Sequence, residues 1–341
     1  MDITQFAQSV AWIRVLETKL LNDNELERMI LARNAKDAYK ILNETDYSTH
    51  IGDTENLESF TDVINAGLKD TKDLIVKIVP YKWVFNILWF RYDFHNMKIL
   101  LKAKHSKKSY DDVKQYLYSF AAVNPDVLKK YILDNENIGF GFEEKYEKYL
   151  KASVKLAEAD FNKHNDPQLI DIVLDKRFCK VINEIALESG NEFLIKFTKK
   201  YIDLKNIELF IRLKIQKREE ALLHKGFINR GYLEKFRFVD AYRKDISDFA
   251  ESMRHTDYAN IIRDAVKGYE DDMSFVKLDK LSYDHLNDYM QRAKRISLGP
   301  EPVFSYFWAK KNNALVVRSV MVGKLNNVEP EQIKKIIRNL Y

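Results

Sequence analysis

The stretch "YDFHNMKILLKAK", residues 92–104, has a near-counterpart in "IDLKNIELFIRLK", residues 202–214. At a shift of 110, Asp93 meets Asp203, Asn96 meets Asn206, Lys102 meets Arg212 and Lys104 meets Lys214. A second shift of 110 reaches "WAKKNNALVVRSVMVGK", where Asn313 stands in place of the aspartate and Lys324 matches Lys104 and Lys214. The apolar positions agree in all three. Phe94, Leu204 and Ala314 correspond, then Met97, Ile207 and Val317, then Leu100, Phe210 and Val320, then Leu101, Ile211 and Met321. Spacings of three, four and seven residues place them on one face of a helix.

Working outward, each copy is preceded by a chain breaker at the same place. Pro300 less 220 is Pro80, and less 110 is Gly190. "PYKWVFNILWF", "GNEFLIKF" and "PEPVFSYFW" follow these breakers. In the last, Gly299 and Pro300 end what comes before, because glycine admits unusual backbone angles and proline cannot continue a helix. Glu301 and Pro302 then suit a first helical turn, where proline wastes no hydrogen bond and a carboxylate meets the positive dipole end. The reading predicts a helix from there to about Gly323.

A fainter echo lies upstream. Thr45–Asp46–Tyr47 recurs as Thr256–Asp257–Tyr258, each after a helix-like segment, while "NDPQLIDIV" holds that part of the middle copy. Downstream, Ser109 opens a start signal, "SYDDVKQYL", with "GYLEKF" and "EPEQIKKII" read as its later forms. Together these predict an all-α protein of three similar multi-helix units, residues 1–115, 116–225 and 226–341, with hardly any strand.

Composition agrees. In 341 residues there are 10 glycines and 6 prolines, few breakers for so long a chain, with 46% hydrophobic and 31% charged residues. That balance suits a globular helical chain rather than a disordered one. The single cysteine, Cys179, can make no internal disulfide, and no secretory signal opens the sequence, so a location on the cytoplasmic side is expected. The richest apolar run, residues 83–90, is flanked by Lys82 and Arg91 and is too short to span a bilayer. The net charge of +5 is unevenly spread. Residues 82–108 hold seven Lys/Arg against Asp93 alone, residues 195–235 hold eleven against five acids, and residues 291–341 hold ten against three.

No phosphate loop occurs, since Gly323–Lys324 is followed by Leu325, and "GFGF" at residues 139–142 lacks the third glycine of a dinucleotide fingerprint. The seven histidines are scattered, so no metal site or cofactor is expected. His95 reads as a packed or half-exposed residue rather than a ligand, and Cys179 as a buried inert thiol. The Asp93/Asn96 and Asp203/Asn206 pairs, one helical turn apart, read as groups that satisfy backbone or a neighbouring helix within each unit. No active site is nominated. The basic packets suit two uses: phosphate neutralisation along a nucleic acid, or, if the three units draw together, a positive surface that grips and steers an acidic protein partner. Interleaved aromatics (Trp83, Trp89, Tyr92, Tyr306, Trp308) fall at core spacing, which disfavours the first.

The run "LGPEPVFSYFWAKKNNALVVRSVMVGKLNNVEPEQIKKIIRNLY" resembles the closing segment of one rotary-ATPase family, the C subunit of prokaryotic V-type and A-type ATPases and the d subunit of eukaryotic V-ATPases. The pattern of G-P-E-P, an aromatic helix, an arginine, V-G-K-L and R-x-L-Y is met by Gly299–Pro302, Arg318, Val322–Leu325 and Arg338–Tyr341. "KKNNALVVR" departs where members commonly carry a glutamate and an asparagine. "VAWIRVLETKLL" resembles the family's opening, with Trp12 in place of the first arginine. The resemblance implies a non-catalytic central-rotor component, funnel-shaped about a pseudo-threefold axis, present once per complex. It would link the central stalk (the D and F subunits) to the membrane rotor ring (the c/K subunits) and pass torque that couples ATP hydrolysis or synthesis to Na+ or H+ transport. Neither cofactor nor nucleic acid is implied. The cations at recurrent positions, Lys98, Lys102, Lys104, Arg212, Lys214, Arg318 and Lys324, and Arg292, Lys294 and Arg295 ahead of the break, are candidates for the partner surface. A helical-repeat scaffold with another partner is the alternative.

Overall fold

The computed structural model describes residues 1–51 and 60–341. Among the described residues there are helices and no strands. In chain order the α-helices are α1 (Ala7–Glu17), α2 (Asp23–Leu31), α3 (Ala35–Ile41), α4 (Phe60–Ile78), α5 (Asn86–His105), α6 (Tyr110–Val113), α7 (Pro125–Ile132), α8 (Glu144–His164) and α9 (Gln168–Ser189). Then come α10 (Glu192–Ile215), α11 (Glu220–Gly226), α12 (Lys235–Tyr242), α13 (Ile246–Ser252), α14 (Ala259–Asp272), α15 (Val276–Gln291), α16 (Pro300–Leu325) and α17 (Pro330–Ile336). They fall into two compact units, one of Met1–Lys82 with Ser247–Tyr341, the other of Trp83–Ile246.

In the Trp83–Ile246 unit, α9 runs between α5, α8 and α10, while α7 packs on α5 and both α11 and α12 on α10. In the other unit α16 is the axis, touched by α1, α2, α3, α4, α15 and α17. Its buried side chains extend all round the helix, from Val303 through Trp308 to Val317 and Met321. A helix apolar on every side belongs at the centre of a unit, since no face is left for water.

The breakers lie where the sequence places them. Pro80 separates α4 from the 3-10 turn Lys82–Phe85 that leads into α5. Gly190 caps α9 in the left-handed region, φ 65°. Gly299, at φ 115°, precedes α16, with Pro300 and Pro302 in the first turn. At that angle a side chain would be strained whatever the space around it, which calls for glycine. The expected end near Gly323 is met within two residues by Leu325.

The three long helices α5, α10 and α16 end alike. Lys107, Lys217 and Asn327 are left-handed, with φ of 56°, 51° and 55°. The next amide reaches back to the helix, Lys108 N to Ala103 O at 3.0 Å, Arg218 N to Leu213 O at 2.9 Å and Val328 N to Gly323 O at 2.9 Å. These bonds satisfy carbonyls that the helix end leaves orphaned. A short helix follows each, α6, α11 and α17, burying Val113, Leu223 and Ile333. The middle start signal therefore belongs to Glu219, ahead of α11, and not to "GYLEKF". Glu219 is a poor N-cap and hid the helix, whereas Ser109 caps α6 through a capping box. The two T-D-Y turns also match: Tyr47 N donates to Thr45 Oγ1 at 3.3 Å and Tyr258 N to Thr256 Oγ1 at 3.2 Å.

Candidate functional site

The polar residues at the recurrent positions are buried, and those on α5 and α10 face the chain that follows their helix. On α5, Asp93 accepts from Val123 N at 2.7 Å and Ala122 N at 3.1 Å. One turn on, Asn96 donates to Tyr118 O and accepts from Tyr118 N, both at 2.9 Å. On α10, Asp203 accepts from Leu233 N at 2.9 Å and Tyr232 N at 3.1 Å. Asn206 exchanges two bonds of 2.8 Å with Ile228. All four side chains are at 0% exposure. Each pair thus satisfies four backbone groups of the loop after its helix, the requirement that makes a buried polar side chain tolerable. On α16, Asn313 with its amide oxygen toward the loop accepts from Leu21 N at 2.7 Å.

The recurrent cations follow a related pattern. Lys104 Nζ reaches Asn135 Oδ1 at 2.7 Å and Glu158 at 2.8 Å. Lys214 Nζ donates to Tyr242 O, and Lys324 Nζ donates to Ala32 O at 2.7 Å. Asn135, Tyr242 O and Ala32 O lie at or just past the C-terminal ends of α7, α12 and α2, where a cation meets the negative pole of a helix, while Glu158 is a carboxylate on α8. Burial pushes the Lys324 amine below its ordinary value. Lys98 pairs with Asp175 at 2.6 Å and Lys102 with Asp171 at 2.6 Å, tying α5 to α9. Burial would raise the Asp175 carboxyl, but Lys98 and Lys205 hold it below the usual carboxylate range. Arg212 and Arg318 are half-buried on α10 and α16.

Arg292, Lys294 and Arg295 lie differently. They occupy the 3-10 turn after α15 and all three are exposed. Arg14 Nη2 donates to Ala293 O at 3.1 Å and Ile296 O at 2.7 Å, which fixes the turn. Lys294 stands 4.3 Å from the centre of the Tyr341 ring. Beside it opens a cleft of about 540 Å³ lined by residues that include Arg14, Glu17, Leu20, Leu21, Leu340 and Tyr341.

Elsewhere chemistry is muted. Cys179 is buried and its thiol is pushed up by burial, which leaves it protonated. The His95 ring packs 4.9 Å from that of Tyr118, with Nε2 3.1 Å from Tyr116 O, and burial lowers its pKa. Of the aromatics between the cations, Trp89, Tyr92, Tyr306 and Trp308 are buried and Trp83 half-buried. Among the described residues no cluster of ligands could hold a metal ion, and no helix is long and apolar enough to cross a membrane. The sequence missed one internal charge pair of the Met1–Lys82 and Ser247–Tyr341 unit: Lys310 on α16 is buried against Asp46 and stands 3.8 Å from the centre of the Tyr47 ring. Its position amid apolar neighbours was the available signal; the partner, more than 260 residues away, was not.

Among the described residues the protein is all-helical, and its recurrent polar residues serve its own backbone. Residues 9–336 match the model of the ATP synthase (C/AC39) subunit family, and the chain belongs to that family, a non-catalytic part of V- and A-type rotary ATPases. It is 23% identical over 335 residues to the C subunit of the V-type sodium ATPase of Enterococcus hirae, covering 96% of this chain and 97% of that one. To the C subunit of the A-type ATP synthase of Methanocaldococcus jannaschii it is 22% identical, covering 100% of this chain and 88% of that one. The same A-type protein of Pyrococcus horikoshii is 23% identical, with 98% and 90% covered.

Proposed function

We propose that this protein is the socket of the central rotor: a funnel of three similar helical units about a pseudo-threefold axis, seated on the membrane rotor ring and receiving the foot of the central stalk. It passes torque between the nucleotide-driven motor and the ion-carrying ring, on the cytoplasmic side, at one copy per complex. The observation that carries the reading is the thrice-repeated helix end with its buried polar anchor. An adaptor under torsional load needs joints that do not yield, and the buried bonds of α5 and α10 to the loops that follow them, with that of α16 to Leu21, supply them.

Grip and stiffness divide between the cations. Lys98, Lys102, Lys104, Lys214 and Lys324 are engaged inside their own units and serve stiffness. Arg292, Lys294 and Arg295, exposed on a turn that Arg14 fixes, serve the partner surface. Electrostatic attraction there steers association and weakens with salt.

The test is co-purification from native membranes with partners identified by mass, followed by the R292E/K294E/R295E variant in a stalk-binding assay. The reading expects ring and stalk proteins beside one copy of this chain. It also expects the variant to lose roughly tenfold or more in affinity at low salt, with a shallower salt slope. Recovery without either partner sinks the socket; unchanged affinity and slope sink the assignment of the turn.

A further inference from the structure

We propose that the groove between α15 and α16 is a recognition site for an extended peptide of the pattern R-x-L-Y. The protein's own residues 338–341 occupy it, and it takes the same motif from a separate peptide when that segment no longer fits.

The segment has no helix of its own. α17 ends at Ile336, Ile337 is extended at φ −71° and ψ 150°, and residues 338–341 continue without regular structure. Beyond Ile337, whose amide still reaches Ile333 O at 3.2 Å, side chains of two helices take up the backbone. Asn339 N donates to Asp284 Oδ1 at 3.1 Å. Asn339 O accepts from Asn312 Nδ2 at 2.6 Å and from Asn287 Nδ2 at 3.3 Å. Leu340 O accepts from Asn287 Nδ2 at 3.1 Å and from Gln291 Nε2 at 3.4 Å. Asp284, Asn287 and Gln291 follow at three and four residues on one face of α15, and Ser305, Trp308 and Asn312 do the same on α16. Asn287 and Asn312 are at 0% exposure, where an amide donor needs an acceptor, and the peptide backbone is the acceptor they have.

In extended-peptide recognition, main-chain bonds supply affinity and side-chain contacts supply choice. Here the choice falls on three positions. The Arg338 guanidinium lies 4.2 Å from the centre of the Tyr283 ring, which stacks on Trp308 at 4.9 Å and 14°. A guanidinium over an aromatic face is a favourable contact. Leu340 lines the cleft that Leu20 and Leu21 also line. Tyr341 Oη lies 2.5 Å from Ser305 Oγ, itself fully buried and donating to Met290 O at 2.9 Å, and Lys294 stands 4.3 Å from the Tyr341 ring centre. The Asn339 side chain is exposed, so the second position is left open. All these contacts involve four consecutive residues and walls that those residues do not build. Recognition is therefore local, and the covalent link through α17 contributes effective concentration.

The test keeps the full chain and substitutes the segment in place, Arg338→Ala with Leu340→Ala and Tyr341→Ala. Melting temperature is then read with and without N-acetylated tetrapeptides at about 5 mM. The variant is expected to melt below the natural chain and to regain about half or more of the loss with acetyl-RNLY. Acetyl-RALY should serve as well, and acetyl-ANAA should give less than about a quarter of the gain. The natural chain, its groove filled by a segment at an effective concentration in the millimolar range, should also gain less than about a quarter as much from acetyl-RNLY. Should the variant be recovered only as aggregate, it is refolded with each peptide, and acetyl-RNLY is expected to raise the soluble yield at least about threefold over acetyl-ANAA. A variant that melts with the natural chain, acetyl-ANAA as effective as acetyl-RNLY, acetyl-RALY as ineffective as acetyl-ANAA, a natural chain that gains as much as the variant, or an aggregate that acetyl-RNLY rescues no better than acetyl-ANAA would each overturn the proposal.

Discussion

Replacing Asp93 by alanine tests the anchor at its most loaded point. The carboxylate takes two backbone amides, one in a buried bond of 2.7 Å to Val123 and one in a part-buried bond of 3.1 Å to Ala122. Truncation leaves both donors without their acceptor. A buried donor without a partner costs about 1–3 kcal/mol, and the part-buried amide of Ala122 recovers some of its share from water. The expected loss is about 2–4 kcal/mol, and Asp93→Asn, which keeps one oxygen, should lose about half as much. The geometry on α10 is nearly the same, so Asp203→Ala should cost a similar amount. Urea unfolding at neutral pH reads the total, with Trp83 and Trp89 reporting from the same unit as the mutation. Amide exchange across residues 118–132 then shows where the loss falls, because weakening should concentrate in the loop and α7. A loss below about 0.5 kcal/mol, or Asn as damaging as Ala, would refute the account of the anchor as a satisfied pair of amides.

Gly231→Ala should destabilise by about 1–3 kcal/mol, because its Cβ would lie 2.1 Å from Asp203 Oδ1, which two amides already hold. Ala121 occupies the matching place beside α5, where the left-handed Arg230 has no counterpart, so Ala121→Gly should cost far less. Thermal melts of the pair decide it. His95, lowered by burial, with Lys98, Arg91 and Lys102 adding to the effect and Tyr116 O opposing it, binds its proton less readily folded than unfolded. As pH falls below the unfolded value of 6.5, the unfolded chain gains protons first, so stability declines until the folded ring also titrates. His95→Gln should flatten the melting-temperature profile in that window, and an unchanged slope would exclude the ring as its source.

Much of the helical organisation was legible because its signals are local. The breakers Pro80, Gly190 and Gly299 act through their own backbone angles, and the apolar face of 92–104 shows itself in spacing. The T-D-Y turns close within three residues. The middle copy of the short helix was placed too late, at "GYLEKF", because α11 begins behind Glu219, which makes no side-chain cap. A start with neither a side-chain cap nor the first-turn proline of α16 and α17 leaves nothing local to read.

The candidate site divides along the same line. That Lys98, Lys102, Lys104, Lys214 and Lys324 recur in a basic pattern is a property of the sequence. That their ammonium groups are taken up by Asp175, Asp171, Asn135 with Glu158, Tyr242 O and Ala32 O belongs to the packing. A lysine reads the same whether its partner is water or a carboxylate 77 residues away.

By itself, then, the sequence determined that this chain is helical, where three of its long helices begin and that those three are built alike, since those properties reside in near neighbours. Only the tertiary structure decided which cations remain exposed. It alone also decided that the helix after Asn22 stands against the helix after Gly299. Contacts are made in space, and chain order imposes only the entropy of closing a loop.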